Sequence, residues 1–385
     1  MSDFLKDRLG KIHAAGNHRV LSGTVEGVDF WSNDYLGLAG LRKEVLGGGA
    51  RVQGEVEGAA SGATGSRSIS GDTDAYHKLE RRIAEFHGHP AALVFNSGYT
   101  ANLGLLSAVL KRGDAILYDE LMHASCRDGV RLGFARAARF PHNDLEETLI
   151  RTCTNERKTG QVFVLTEGRF SMDGDVAPLR EMAELCRKYG AHLIVDEAHS
   201  GGVDGKQGRG LVAELGLEAN VFAAIITYGK AFGSHGAAVL GSSELRDYLI
   251  NTCRPFIYTT GPAPVQWRSI EEAYDKMEAL HSEQHARLQR VILGFRRAMT
   301  EAGVASGLVA NDGPIQVLHL PGNDAVMAAE AKCREAGLLV KAIRSPTVAE
   351  GSERLRVCLH SFNTAQEVKL LVETIKGRRN NNLRF

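Results

Sequence analysis

Lys230 lies in Thr227-Tyr228-Gly229-Lys230-Ala231-Phe232-Gly233, directly after the apolar run from Val221 to Ile226. Upstream, the apolar run His192 to Val195 closes on Asp196-Glu197-Ala198-His199. A strand that ends in an acid is thus followed, one structural unit later, by a strand that ends in a lysine. A lysine amine can attack an aldehyde carbon, and a carboxylate can keep a pyridine nitrogen protonated. That is the pair the aldehyde cofactor pyridoxal 5′-phosphate (PLP) needs. The amine attacks only when neutral, and a desolvated pocket flanked by glycine favours the neutral form.

Other residues fall where such a cofactor would need them. His199, three residues past Asp196, could hydrogen-bond the phenolic oxygen, and His123, in Met122-His123-Ala124-Ser125, could lie flat on the pyridine ring. Asn96-Ser97-Gly98-Tyr99-Thr100 follows a strand and opens a helix, so Ser97, Gly98 and Tyr99 are candidates for holding a phosphate on helix-start N–H groups. The Thr227 hydroxyl could add to that site. Arg356, in Arg354-Leu355-Arg356-Val357, could grip a substrate carboxylate with both arms of its guanidinium. The Asp-Glu-Ala-His string also matches a helicase box, but that chemistry requires an upstream Gly-x-x-x-x-Gly-Lys-Ser/Thr loop, which the sequence lacks. There is no metal signature: no His-Glu-x-x-His occurs, and His87 and His89 flank a single glycine without a partner cluster.

These residues must be positioned by a regular framework, and the patterning predicts one. Apolar Tyr76, Leu79, Ile83 and Phe86, spaced by threes and fours after an Asp72-Thr73 cap, predict a helix to about His87. Strands are expected at 91–95, 115–118, 161–166, 192–195, 221–226 and 237–240, and helices at 100–110, 125–133 and 179–189. Val, Ile and Leu on both parities of these strands predict a mostly parallel sheet covered by helices on both faces, with ligands outside the strands' carboxyl ends. After Pro262 the pattern changes to a long helix over 264–303, strands at 315–320, 338–343 and 355–359, and helices at 325–336 and 365–375. The expected organisation is an α/β chain with an N-terminal arm (1–35), a large domain (36–262) and a smaller C-terminal α+β domain with its linking helix (263–385). The polar tail 377–385 is expected to fray.

Bulk properties exclude several classes. The 385 residues are 43% hydrophobic and 24% charged, which suits a globular protein with a large core. Lys+Arg and Asp+Glu number 46 each, so no global field draws the chain to nucleic acid or anionic lipid, and an anionic ligand needs a local site. The apolar runs are too short to span a bilayer, the first residues lack a signal-peptide pattern, and the six cysteines show no paired spacing. A reduced, cytoplasmic protein is expected.

Several motifs occur in order: Ser32-Asn33-Asp34-Tyr35-Leu36-Gly37, Gly65-Ser66-Arg67-Ser68-Ile69-Ser70-Gly71, His123-Ala124-Ser125, Phe170-Ser171-Met172-Asp173-Gly174-Asp175, Asp196–His199, Gly208-Arg209-Gly210 and Thr227–Gly233. Together they resemble the α-oxoamine synthases, a branch of the fold-type I PLP-dependent transferases, over about residues 30–375. Within that family, Thr166-Glu167-Gly168, Gly236–Leu240 and Lys341–Val348 resemble the branch that forms 8-amino-7-oxononanoate for biotin synthesis. The resemblance implies condensation of L-alanine with pimeloyl-CoA, or a pimeloyl carrier protein, with loss of CO2 and thiol. It implies a homodimer with shared active sites, in which Thr259 or Thr260 reaches the partner's cofactor phosphate. Arg19, Asn33 and Arg356 would hold the amino-acid carboxylate, and Ser171 would sit beside the phenolic oxygen. Tyr228 and Arg169 depart from the family pattern, a difference expected to tune the acyl side. The alternatives are an α-oxoamine synthase that uses glycine with acetyl- or succinyl-CoA, one that uses a long-chain acyl-CoA, a PLP aminotransferase or lyase, and a non-catalytic protein of the same fold.

Overall fold

A computed structural model describes residues 3–14, 18, 21, 23–41, 61–154, 160–345 and 347–382. Arg19 lies outside the described residues. In chain order the elements are α1 (Asp3–Ala14), β1 (Val28–Asp29), α2 (Asp74–His87), β2 (Ala91–Phe95), α3 (Gly98–Val109), β3 (Ala115–Asp119), α4 (Ala124–Leu132), β4 (Arg136–Phe140), α5 (Glu146–Thr154), β5 (Val162–Glu167), α6 (Leu179–Tyr189) and β6 (His192–Asp196). There follow α7 (Leu211–Glu214), β7 (Val221–Thr227), β8 (Ala237–Gly241), α8 (Ser243–Thr252), α9 (Arg254–Ile257), α10 (Pro264–Glu301), β9 (Ile315–His319), α11 (Asn323–Glu335), β10 (Leu338–Leu339), β11 (Lys341–Ile343), β12 (Arg354–Cys358) and α12 (Ala365–Asn382).

Seven strands form one sheet in the order β2-β8-β7-β6-β5-β3-β4, with β8 antiparallel to both of its neighbours and the other pairings parallel. Both parities of the central strands are apolar because both faces are covered. Leu193 and Val195 of β6 and Ala224 and Ile226 of β7 join one core. The alternating Ile194, Ala223 and Ile225 join another on the opposite face. β5, β6 and β7 run side by side, so their carboxyl ends share one edge of the sheet, where Glu167, Asp196 and Thr227 stand.

The C-terminal region holds a second sheet of β11, β12 and β9, antiparallel throughout. The predicted strand 338–343 is two strands. β10 pairs in parallel with β1 from the N-terminal segment, and β11 pairs with β12, so the chain changes sheets at Val340. α12 continues through Asn382, past the point where a frayed tail was expected at Gly377. Six elements went unread in the sequence: β1, β4, α5, α7, α8 and α9. β4 is an edge strand whose Arg136, Ala137 and Arg139 are exposed, so it lacks the apolar run that marks its neighbours. Among the described residues no helix is long and apolar enough to cross a membrane.

Candidate active site

The ends of β5, β6 and β7 and the start of α3 enclose a cleft of about 250 Å³. Ser97, Gly98, Tyr99, His123, Asp196, His199, Thr227 and Lys230 all line it, so the residues predicted from strand ends and helix starts meet at one place. Asn102, Ser125, Glu167 and His235 line it as well, and the sequence did not single them out as site residues.

Asp196 is buried and firmly held. Its Oδ2 accepts from Asn102 Nδ2 (2.7 Å) and its Oδ1 from the Ala198 N–H (2.9 Å). Two donors fix the carboxylate's direction. Asn102 also donates from Nδ2 to Ser125 Oγ (3.0 Å), which in turn donates to His123 Nδ1 (2.7 Å). One amide group on α3 therefore orients both the acid and the histidine. His123 caps α4, its Nδ1 also accepting from the Ser125 N–H (3.2 Å), so the ring is fixed while its face opens to the cleft. Burial pushes the His123 charge down.

Lys230 is half-buried, and desolvation lowers its amine below the ordinary lysine value despite the opposing pull of Asp196 and Glu167. A larger share of the amine is therefore neutral near pH 7 than on a surface lysine. Glu167 shows the complementary shift: burial, and then the adjacent Asp196, push its carboxyl up.

The helix end follows its local sequence. Ser97 caps α3 by accepting from the Thr100 N–H (3.2 Å), and Thr100 Oγ1 accepts from the Ser97 N–H (3.1 Å). A Cβ on Gly98 would stand 2.5 Å from Thr227 Cγ2, so glycine lets the α3 terminus approach β7. The terminus carries no acidic residue in its first turn, leaving it suited to an anion. Tyr99 points its hydroxyl away to Asp128 (2.5 Å), so its part in such a site is its main-chain N–H.

A second cluster adjoins the cleft through His199. Asn33 Oδ1 accepts from Arg356 Nη2 (3.1 Å) and from the Tyr35 hydroxyl (3.0 Å). Because the one tyrosine proton goes to Asn33, His199 Nδ1 donates to Tyr35 Oη (2.7 Å). Burial holds the His199 charge well below its usual range. Arg356 Nε donates to the Ser171 carbonyl (2.9 Å), which brings Asn33, Ser171 and Arg356 together. The 170–175 loop that carries Ser171 is clamped by His142, whose Nδ1 and Nε2 donate to Asp119 (3.0 Å) and Asp175 (2.8 Å). Burial opposes the charge on this imidazole, yet the two carboxylates outweigh it and raise the group to about 10.

Thr259 and Thr260 lie off the cleft. Asn96 Nδ2 donates to Thr259 Oγ1 (3.3 Å) and to the Thr260 carbonyl (3.1 Å). Tyr228 and Arg169, expected to tune the acyl side, do not line the cleft. Tyr228 is fully buried, with its ring edge-on to Phe232 and its hydroxyl 3.2 Å from that of Tyr274. Arg169 is buried in a two-armed pair with Asp204 (2.7 and 3.0 Å) and donates to the Gly174 carbonyl (2.7 Å). Both hold the scaffold together.

A covered, mostly parallel sheet with a lysine and an anchored acid at neighbouring strand ends is the architecture of fold-type I transferases. The sequence profile described as aminotransferase class I and II matches residues 25–375. The 8-amino-7-oxononanoate synthase of Marinobacter nauticus is 40% identical over 353 residues, covering 91% of this chain and 87% of that protein. Among solved structures, the serine palmitoyltransferase of S. paucimobilis with a bound PLP–myriocin aldimine superposes with a TM-score of 0.86 at 26% identity, over 98% of this chain and 97% of that one. The 8-amino-7-oxononanoate synthase of Francisella tularensis gives 0.75 at 29% identity, over 92% and 98%. The chain belongs to the aminotransferase class I and II family and, within it, to the α-oxoamine synthases, with 8-amino-7-oxononanoate synthases among its relatives at about 40% identity.

Proposed function

We propose that the protein is a PLP-dependent acyltransferase that condenses L-alanine with a pimeloyl thioester, releasing CO2 and thiol to give 8-amino-7-oxononanoate. The observation that carries this reading is the joint presence in one cleft of Lys230, with its lowered amine, and Asp196, held by Asn102 and Ala198. The similarity to 8-amino-7-oxononanoate synthases over nine-tenths of the chain supports the substrate pair.

The residues present fit PLP. The glycine at position 98 leaves space beside Thr227 that a Cβ would fill, and the α3 terminus offers main-chain N–H groups for a phosphate. When bound, the cofactor supplies an electron sink for the electron pair left at the substrate Cα. Lys230 would provide the amine that holds the cofactor and would take the Cα proton. Asp196 would face the pyridine nitrogen, and His123 would cover the ring. With Nδ1 engaged by Tyr35, His199 Nε2 is the ring atom left to meet the phenolic oxygen, beside Ser171. Ser97, Gly98, Tyr99 and Thr227 would hold the phosphate, and Asn33 and Arg356 would hold the alanine carboxylate. Arg19 keeps the same proposed role from the family resemblance.

The active form is a cytoplasmic homodimer, with Thr259 or Thr260 completing the partner's phosphate site. Exposed Ile69, Tyr258 and Val265 support a covered surface there, since Gly261 N–H donates to the Gly65 carbonyl (2.9 Å) and joins their two segments. The proposed organisation is an N-terminal arm (1–35), a large domain (36–262) and a C-terminal domain with its linking helix (263–385). The acyl group arrives on CoA or on a carrier protein. A second reading, condensation with a long-chain acyl-CoA, draws on the higher structural similarity to serine palmitoyltransferase.

One assay separates these readings. Purified protein with PLP is offered alanine or glycine, crossed with pimeloyl-, acetyl-, succinyl- and palmitoyl-CoA, and thiol release is followed. Turnover is expected with alanine and pimeloyl-CoA, and K230A is expected to lose both turnover and the visible cofactor absorbance. A yellow, active K230A protein would falsify the assignment of Lys230.

A further inference from the structure

Glu167 is a second carboxyl group in the cleft, and the chemistry above leaves it without a task. It ends β5 in direct register with Asp196 of β6, so both acids leave neighbouring parallel strands at the same level. It is 2% exposed and lines the same cleft as Lys230. Its Oε1 accepts from the His123 N–H (2.8 Å), and the Ser171 N–H also donates to the carboxyl. One side chain thereby ties together two stretches of main chain, one bearing the ring-covering histidine and the other the loop that supports Arg356.

We propose that Glu167 is a positioning residue of the Lys230 site, one that fixes the His123 and Ser171 main chains and acts on the lysine that shares its cleft. The proposal rests on the reading of Lys230 as the cofactor-tethering amine.

Two carboxylates side by side in a desolvated cleft cannot both stay ionised without a cation. Asp196 has two fixed donors. Glu167 is raised by burial and by Asp196, and the group that opposes this is Lys230. Facing the pair from other elements are His123 and Cys126 at α4, His199 after β6 and Arg356 on β12. Arg356 and burial lower the Lys230 amine, whereas Asp196 and Glu167 raise it. Removing the Glu167 charge therefore lets Lys230 shed its proton at lower pH.

The test uses E167Q, which keeps the side-chain shape and one acceptor oxygen, and E167A, which keeps neither. Trinitrobenzenesulfonate modification of Lys230 in cofactor-free protein is followed across pH, with the modified peptide identified by mass and K230A as the blank. The midpoint of the E167Q profile is expected to move to lower pH. PLP affinity is expected to fall roughly tenfold in E167A and by less in E167Q, as the loss of a buried acceptor predicts. An unmoved or raised midpoint in E167Q overturns the proposal, whether or not E167A folds. If K230A binds PLP as tightly as the unaltered protein, the reading of Lys230 fails instead, and the two failures are distinguished.

Discussion

Asn102 is the residue on which the site's geometry most depends outside the acid and lysine themselves. Its two amide protons serve Asp196 and Ser125, so its loss would free the acid and, through Ser125, the His123 ring. A hydrogen bond to a charged partner contributes about 1.5–3 kcal/mol, so N102A is expected to weaken PLP binding roughly 10- to 100-fold, read by equilibrium titration of the cofactor absorbance. An unchanged dissociation constant would assign Asp196 some other anchor. Elsewhere, His87 illustrates charge set by burial. Its Nδ1 donates to the Arg209 carbonyl (2.8 Å) and its Nε2 accepts from the Tyr274 hydroxyl (2.9 Å), an arrangement only the neutral ring can make. Desolvation lowers the group from 6.5 to about 3. A folded value below the unfolded one means the unfolded chain binds the extra proton. The stabilisation is therefore present above about pH 6.5 and lost as pH falls toward 3. The thermal midpoint is expected to drop over that interval, with a shallower slope in H87N; an equal slope in both proteins would exclude His87 from the acid transition.

Helix α3 joins the capping of a secondary-structure element to the proposed phosphate site. Ser97 serves the helix itself, since its hydroxyl accepts from the Thr100 N–H. S97A is expected to cost about 1 kcal/mol of stability, measured by denaturant unfolding. G98V tests a different property, because its side chain would collide with Thr227 Cγ2 and push the α3 terminus from β7. It is expected to lose PLP affinity more than stability. The opposite ranking would mean that the close approach serves packing alone. These elements were largely legible: the helix over 179–189 begins and ends at Leu179 and Tyr189 as expected, and β2 spans Ala91–Phe95. β4 was not, because an edge strand with exposed arginines carries no apolar signature. Nor was the break at Val340, since adjacent apolar residues give no sign that their hydrogen bonds go to two different partner strands.

At the scale of the molecule, the N-terminal segment and C-terminal region are one assembly. β1 pairs with β10, Cys358 N–H donates to the Phe30 carbonyl (2.8 Å), and Ser361 N–H donates to that of Tyr35 (2.9 Å). This docking carries Asn33 and Tyr35 to Arg356 and His199, residues distant in the chain. The proposed shared site makes a separate prediction. Mixing K230A with a T259A/T260A variant under conditions that exchange subunits is expected to restore activity, because a hybrid dimer holds one site with both the lysine and the threonines. No recovery would place both contributions within one chain.

The sequence by itself determined the covered sheet and placed Lys230, Asp196, His123 and His199 around one cleft at the carboxyl ends of its strands. Apolar residues on both parities imply two covered faces, and chemistry at a strand's carboxyl end follows from that position in the chain. Only the tertiary structure decided that Asn102, Glu167 and Tyr35 support those residues, and that Tyr228 and Arg169 belong to the scaffold. A buried polar side chain takes its role from the partner that satisfies its hydrogen bonds, and that partner is supplied by folding rather than by neighbouring residues in the chain.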